Sequence, residues 1–197
     1  MKPITWMDSF LPKLIGDKTF IPLDVKTVLD VGCGKGTAGA LLRNYRSPRY
    51  IAGVDAFQPY IEHCERFGCY DYLELHDLGR GKPLPFPTNR FDLVLCLEVV
   101  EHLDKANALC LLDELKRVGR HIVVTTPTRF HVQPNLDDNP LQRHRCVITK
   151  RDFQAQGFKV RGTGPIRCLG KSLPIESWRL GSLFPSIMQT LVAVREQ

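Results

Sequence analysis

Lys26-Thr-Val-Leu-Asp-Val-Gly-Cys-Gly-Lys-Gly36 is the stretch on which the fold of this chain turns. Val28, Leu29 and Val31 form a short β-branched and apolar run bounded by turn residues, the pattern of a buried parallel strand. Gly32, Gly34 and Gly36 follow at spacings of two, where a tight turn and close approach of a ligand leave no room for a Cβ. A helix is predicted to begin near Thr37. Such a turn serves dinucleotides and phosphates alike, so its neighbours matter. The dinucleotide pattern G-x-G-x-x-G requires a small residue at 37, where this chain has Thr37, and the third glycine comes one place early. Asp30, two residues before Gly32, would repel a pyrophosphate but suits a ligand carrying an ammonium and a sulfonium.

The chain has 197 residues, 24% charged and 43% hydrophobic, a globular profile sized for one domain. A domain of that size buries about 70% of its unfolded surface. No apolar run approaches the roughly 18 residues of a membrane-spanning helix. Met1 to Asp8 lack the apolar core and cleavage site of a signal peptide, and the expected location is the cytoplasm. Seven cysteines, an odd number with no C-x-x-C pair, indicate neither a disulfide framework nor a cysteine zinc site. The net charge is +6. Between Leu141 and Arg179, nine Lys and Arg stand against Asp152 and Glu176, giving that segment +7 and leaving the rest nearly neutral. A solvated basic face and a surface for an anionic substrate or polymer both fit this distribution.

Apolar residues from Ile4 to Ile15 recur at helical spacing despite Pro12, predicting an N-terminal helical cover within 1–25. After the glycine turn come a helix over 37–46 and a strand over Tyr50–Asp55. A helix over Phe57–Phe67 is closed by Gly68, and a strand over Tyr70–Leu75 follows. Phe91–Leu97 is the clearest later strand, followed by a helix over Lys105–Val118 with Leu109, Leu112 and Leu115 on one face. A strand over His121–Thr125 stops before Pro127. Residues 127–148 are polar, proline-rich and aperiodic, too long for an idle connection, and are expected to be a substrate lid. A short helix over Thr149–Gln156, a strand over Gly157–Arg161 and a last strand over Gln189–Arg195 complete the pattern, with 163–188 as an insertion.

Asp30-Val-Gly32-Cys-Gly34-Lys-Gly36 and the stretch Phe91-Asp-Leu-Val-Leu-Cys-Leu-Glu-Val-Val-Glu-His-Leu103 resemble the class I S-adenosylmethionine-dependent methyltransferases. The resemblance implies a single-domain α/β fold. Its doubly wound, mostly parallel seven-stranded sheet would carry an antiparallel C-terminal strand, with S-adenosylmethionine at the C-terminal edge. It implies that Asp30, Gly32, Cys33 and Gly34 meet the cofactor at the turn, and that Asp55 with Ala56 meets its ribose. Asp77 and the backbone of Leu78 would meet its adenine, and the backbone of Cys96 and Leu97 its methionine end. In that family N-terminal helices often cover the cofactor, which would give Trp6 or Phe10 such a place. Asp55 also fits the end of a second strand about 20 residues past the glycines, where a carboxylate accepts from ribose hydroxyls; capping of the next helix is its other reading. For Asp77 the other reading is a turn aspartate.

Methyl transfer asks the protein to align a nucleophile, exclude water and accept a proton where needed. Glu98, Glu101 and His102 form an E-x-x-E-H cluster after the fourth strand, expected to share one face of a helical turn. His102 is the first candidate for general base, with Glu98 and His144 beside it as catalytic candidates and His131 a weaker one. With His144 from the lid, the cluster Glu98, Glu101, His102 and His144 also has the donors of a divalent cation site. In this it is similar to the small-RNA 3′-terminal 2′-O-methyltransferases, which hold a metal through E-x-x-E-H and a distant histidine. The expected activity is methyl transfer from S-adenosylmethionine to oxygen or nitrogen of an anionic acceptor, in the first place a small molecule. The alternatives are a metal-dependent RNA methyltransferase, with RNA on the basic 141–179 segment, and a non-catalytic S-adenosylmethionine-binding protein.

Overall fold

The computed structural model describes residues 6–132, 136–163, 166–168, 171–173 and 189–196. Its centre is β1 (Thr27–Val31), flanked by β2 (Tyr50–Asp55) and β4 (Phe91–Leu97), with β3 (Tyr72–Leu75) beyond β2 and β5 (Gly119–Pro127) beyond β4. All of these pairings are parallel. β6 (Lys159–Thr163) and β9 (Thr190–Glu196) complete seven strands in the order β3-β2-β1-β4-β5-β9-β6, with β9 antiparallel to both its neighbours. This is the doubly wound sheet expected from the sequence. The hairpin β7 (Ile166–Cys168) and β8 (Lys171–Leu173) lies in the predicted insertion, most of which falls outside the described residues.

Alternation along β1 sends Leu29 and Val31 to one face and Val28 to the other. The first face packs against α4 (Lys105–Val118), whose Ala108, Leu111, Leu112, Leu115 and Val118 are buried, and against Phe153 of α5 (Lys150–Ala155). Leu109, placed on that face by the sequence reading, is only partly buried. The second face packs under α1 (Trp6–Gly16) and α2 (Thr37–Tyr45), through Phe10, Leu14, Ile15 and Leu42 against Val28, Leu93, Leu95 and Val123. Phe10 is therefore a core residue of this face and is not among those lining the cofactor cavity described below. The side chain of Trp6 lies outside the described residues.

Several element ends differ from the sequence reading, each for a local reason. β3 begins at Tyr72 because Tyr70 turns inward, its hydroxyl donating to Asp30 Oδ2 at 2.6 Å. β5 begins at Gly119 because α4 runs straight into it, the Gly119 N–H still donating to Leu115 O as the helix cap. β6 begins at Lys159, after Gly157 has turned the chain at a φ of +83°. α3 (Gln58–Phe67) covers β2 and β3 and ends at Gly68 as expected.

The strand order reverses between β1 and β4, the point at which open α/β sheets bind their ligands, outside the carboxyl ends of the strands. Among the described residues no helix is long and apolar enough to cross a membrane.

Candidate active site

At the reversal point a cavity of about 390 Å³ opens above β1, β2 and β4. Gly32 and Gly34 of the turn, Asp55 and Ala56 at the end of β2, and Asp77 and Leu78 after β3 line it, together with Glu98, Val99 and His102 after β4. From the segment 127–148 come Asn139, Leu141, Gln142 and Arg145. Gly34 has a φ of +52°, and no atom stands within 4 Å of where its Cβ would be, so the backbone is open there to a ligand. At Gly32, φ +74°, a Cβ would stand 2.3 Å from Val99 Cγ2.

Asp55 fastens the turn to the end of β2. Its Oδ2 accepts from Gly34 N and its Oδ1 from Phe57 N, both at 2.9 Å. Asp55 also lines the cavity, so the ribose-binding and capping readings are compatible. Burial raises its pKa, and the backbone donors work against that shift. Asp77 accepts from Gly79 N at 2.9 Å and pairs with Arg80 at 2.9 Å while lining the cavity, so its two readings are compatible as well.

Of the ten positions expected at the cofactor, Asp30, Cys33, Cys96 and Leu97 are not among the lining residues. Asp30 is buried and engaged by Tyr70. Cys33 packs with Ile61 and Cys64 behind the turn, and Cys96 belongs to the core. Leu97 packs against the second face of the sheet. Strand alternation and the turn's curvature direct these side chains away from the cavity.

The E-x-x-E-H residues do not sit on a regular helical turn. Glu98 has left-handed backbone, φ +56°, and only Val100–His102 form a short 3-10 turn. The result still gathers the side chains. Ligand atoms of Glu101, His102 and His144 all lie within 4.8 Å of one another, and the Glu98 carboxyl stands near enough for its charge to act on Glu101. His144 stands edge-on to His102 with centroids 4.9 Å apart, and His131 lies 4.3 Å from His144 on its other side. The segment 139–146 is fixed here by Arg145 N and Cys146 N, which donate to Glu101 O at 2.7 and 3.2 Å. Thr126 Oγ1 donates to Glu101 Oε2 at 3.0 Å.

Burial dominates the electrostatics of this cluster. It pushes the Glu98 carboxyl up to about 7, and pushes Glu101 well above the usual range with help from the neighbouring Glu98 charge. It lowers His102, and lowers His144 to about 4 with help from the two adjacent imidazoles. Both imidazoles are thus neutral near pH 7, the form that ligates metals and accepts protons. Five buried side-chain N or O atoms lack a partner among the described residues, and Glu98 Oε1, Glu101 Oε1 and His102 Nδ1 are three of them. Orphaned polar atoms are rare and costly when buried, so their concentration in one cluster fits a cation in that place.

Sequence reasoning missed Tyr60, Val99, Leu103, Asn139 and Arg80 as lining residues. Val99 and Leu103 stand within the quoted motif, next to residues that were chosen. Tyr60 and Asn139 had no local signal.

Residues 29–121 match the family model described as "Methyltransferase domain". This match and the strand order together give the chain the fold of the class I S-adenosylmethionine-dependent methyltransferases. Its cofactor is S-adenosylmethionine. It is 30% identical over 137 residues to the uncharacterized protein MJ0638 of Methanocaldococcus jannaschii, a match covering 68% of this chain and 55% of that one. The chain thus spans about half the length of that relative. Its fold is similar to that of the methyltransferase domain of bacterial CtHen1, with a TM-score of 0.63 at 21% identity over 98% of this chain and 100% of that one. It is also similar to magnesium protoporphyrin IX methyltransferase from Synechocystis PCC 6803, solved with bound S-adenosylmethionine, with a TM-score of 0.56 at 19% identity over 96% and 78% of the two chains. At this identity the two structures speak for the fold alone.

Proposed function

We propose that this methyltransferase transfers a methyl group to a hydroxyl oxygen of an anionic acceptor. A divalent cation would be held by Glu98, Glu101, His102 and His144, and the acceptor is the 3′-terminal ribose of an RNA. The observation that carries this reading is the convergence of Glu101, His102 and His144 within 4.8 Å beside three buried, partnerless donor atoms. Mixed carboxylate and imidazole donors suit Mg²⁺, Mn²⁺ or a similar ion. The likeness to small-RNA 2′-O-methyltransferases noted from E-x-x-E-H supports the acceptor class. So does the basic lid, with Arg143 and Arg145 flanking His144.

When bound, S-adenosylmethionine supplies a methyl group already activated by its sulfonium. The cation would supply charge that acidifies a coordinated hydroxyl. The chain does the rest. Gly32 and Gly34 admit the cofactor, while Asp55 and Asp77 grip its hydroxyls and amino group. Neutral His102 stands at the cavity wall, where its one free lone pair would go to the cation. The Glu98 carboxylate, which has a second oxygen, is the group that accepts the hydroxyl proton. Leu141 and Gln142 of the lid exclude water from the reacting pair. Arg145 gives an anionic acceptor a counter-charge at the cavity mouth.

Labelled methyl transfer to short oligoribonucleotides tests this. Incorporation that requires Mn²⁺ or Mg²⁺, stops with chelator and is absent when the terminal nucleotide is 2′-deoxy is the expected result. Incorporation into small-molecule fractions that chelator leaves unchanged would overturn the cation and the RNA together. That outcome would assign the Glu98–Glu101 pair and His102 to proton transfer alone.

A further inference from the structure

Among the described residues, two of the contacts between the lid and the rest of the domain stand on opposite sides of the cavity. One is Glu101 O, through the N–H groups of Arg145 and Cys146. The other lies across the cavity at Asp137. Its Oδ1 is 2.7 Å from Lys35 Nζ, its Oδ2 accepts from the Tyr60 hydroxyl at 3.0 Å, and the Lys35 ammonium stands 5.9 Å from the Tyr60 ring centroid. Lys35 belongs to the glycine turn, between Gly34 and Gly36, and Tyr60 of α3 lines the cofactor cavity. Between the two ties, Asn139, Leu141 and Gln142 face the same cavity. Asp137 and Asp138 both hold left-handed backbone, at φ 56° and 54°. Non-glycine residues adopt that conformation at a cost, and it persists only where the surroundings impose it. Two such residues in succession, beside a three-way contact, describe a strap under tension and held by its clasp.

We propose that Asp137, Lys35 and Tyr60 form a latch that holds the lid shut over bound S-adenosylmethionine. Asp137 acts as a positioning residue that sets how fast the cofactor and its demethylated product leave. This rests on the cofactor assignment and is independent of the cation. Lys35 and Asp137 are each partly exposed, with side chains 44% and 37% accessible, so their pair contributes a modest factor of about three to five in rate.

The test is release of labelled S-adenosylmethionine from the full chain, chased with excess unlabelled cofactor. Asp137→Asn tolerates left-handed backbone and keeps an acceptor for Tyr60 while losing the charge. It is expected to release about threefold faster. Asp137→Ala loses both partners and should release about tenfold faster, with KM for the cofactor raised and kcat not lowered. Because Lys35→Met cuts the same tie, the double variant Lys35→Met, Asp137→Ala should be no faster than Asp137→Ala alone. Release within twofold of wild type for both Asp137 variants would overturn the latch, as would strictly multiplicative effects in the double variant. If Asp137→Ala fails to fold, the same cycle with Asp137→Asn and Lys35→Met decides the matter.

Discussion

Asp30 is held where a carboxylate is costly. It is 1% exposed on a central strand, and burial raises its pKa to about 6, against the Tyr70 hydrogen bond that lowers it and with the nearby Asp55 charge that adds to the rise. The sign follows from linkage. The folded state binds the Asp30 proton more tightly than the unfolded chain does, so this group's contribution to stability falls as pH rises from about 4 to about 6 and then levels off. Relative to Asp30→Asn, the wild type should lose about 2 kcal/mol between pH 4 and pH 7. Denaturant titrations of the two proteins across that range would show parallel curves if this were wrong. Single residues were legible in the sequence where a strand ends in an acid. Asp55 and Asp77, after β2 and β3, line the cavity. Asp30 has the same chemistry, yet its carboxylate meets a tyrosine 40 positions away. The latch joins Tyr60 to Asp137 across 77 positions, and no local pattern encodes such a contact.

Elements were more legible than residues, because burial on both faces of a parallel strand writes an uninterrupted apolar run. β2, β4 and α4 have the ends that their punctuation predicted. The ends that moved, at Tyr72 and Gly119, are set by tertiary partners, an inward Tyr70 in one case and an uninterrupted helix-to-strand junction in the other. The E-x-x-E-H stretch shows the limit of periodicity. Spacing placed its side chains together correctly but for the wrong reason, since Glu98 reaches Glu101 through a left-handed residue and not along a helix face. α5 offers a clean test at this scale. Thr149 accepts from Asp152 N while Asp152 accepts from Thr149 N, a reciprocal capping box on a helix of 6 residues. Thr149→Ala should destabilise the domain by about 1 kcal/mol, read as a fall of about 2–4 °C in Tm. Asp152 also pairs with Lys105 of α4, so an unchanged Tm would mean that this ion pair and the buried Phe153 hold α5 without the cap.

For the whole molecule, a cation that binds only the folded chain raises its stability by mass action. At an Mn²⁺ concentration of about 100 times Kd the gain is about 2.7 kcal/mol, which corresponds to a rise in Tm of about 5–10 °C. Glu101→Gln should abolish that rise, and a rise of equal size in the variant would place the ion elsewhere. The domain's charge is arranged on both ends of the sheet. Beyond the lid, Lys159, Arg161 and Arg195 line a second cavity of about 330 Å³ at the end opposite the active site.

The placement of β9 carries a consequence for biogenesis. This strand, residues 190 to 196, lies between β5 and β6 and pairs with both. While the chain is being synthesised, β1 to β5 and their helices emerge with every parallel partner already present, whereas β5 keeps an unpaired apolar edge until β9 has been made. A nascent chain halted before residue 190 would thus hold a nearly finished cofactor cradle beside an open sheet edge, a template for pairing with other chains. Synthesis of the last strand is the step that seals it.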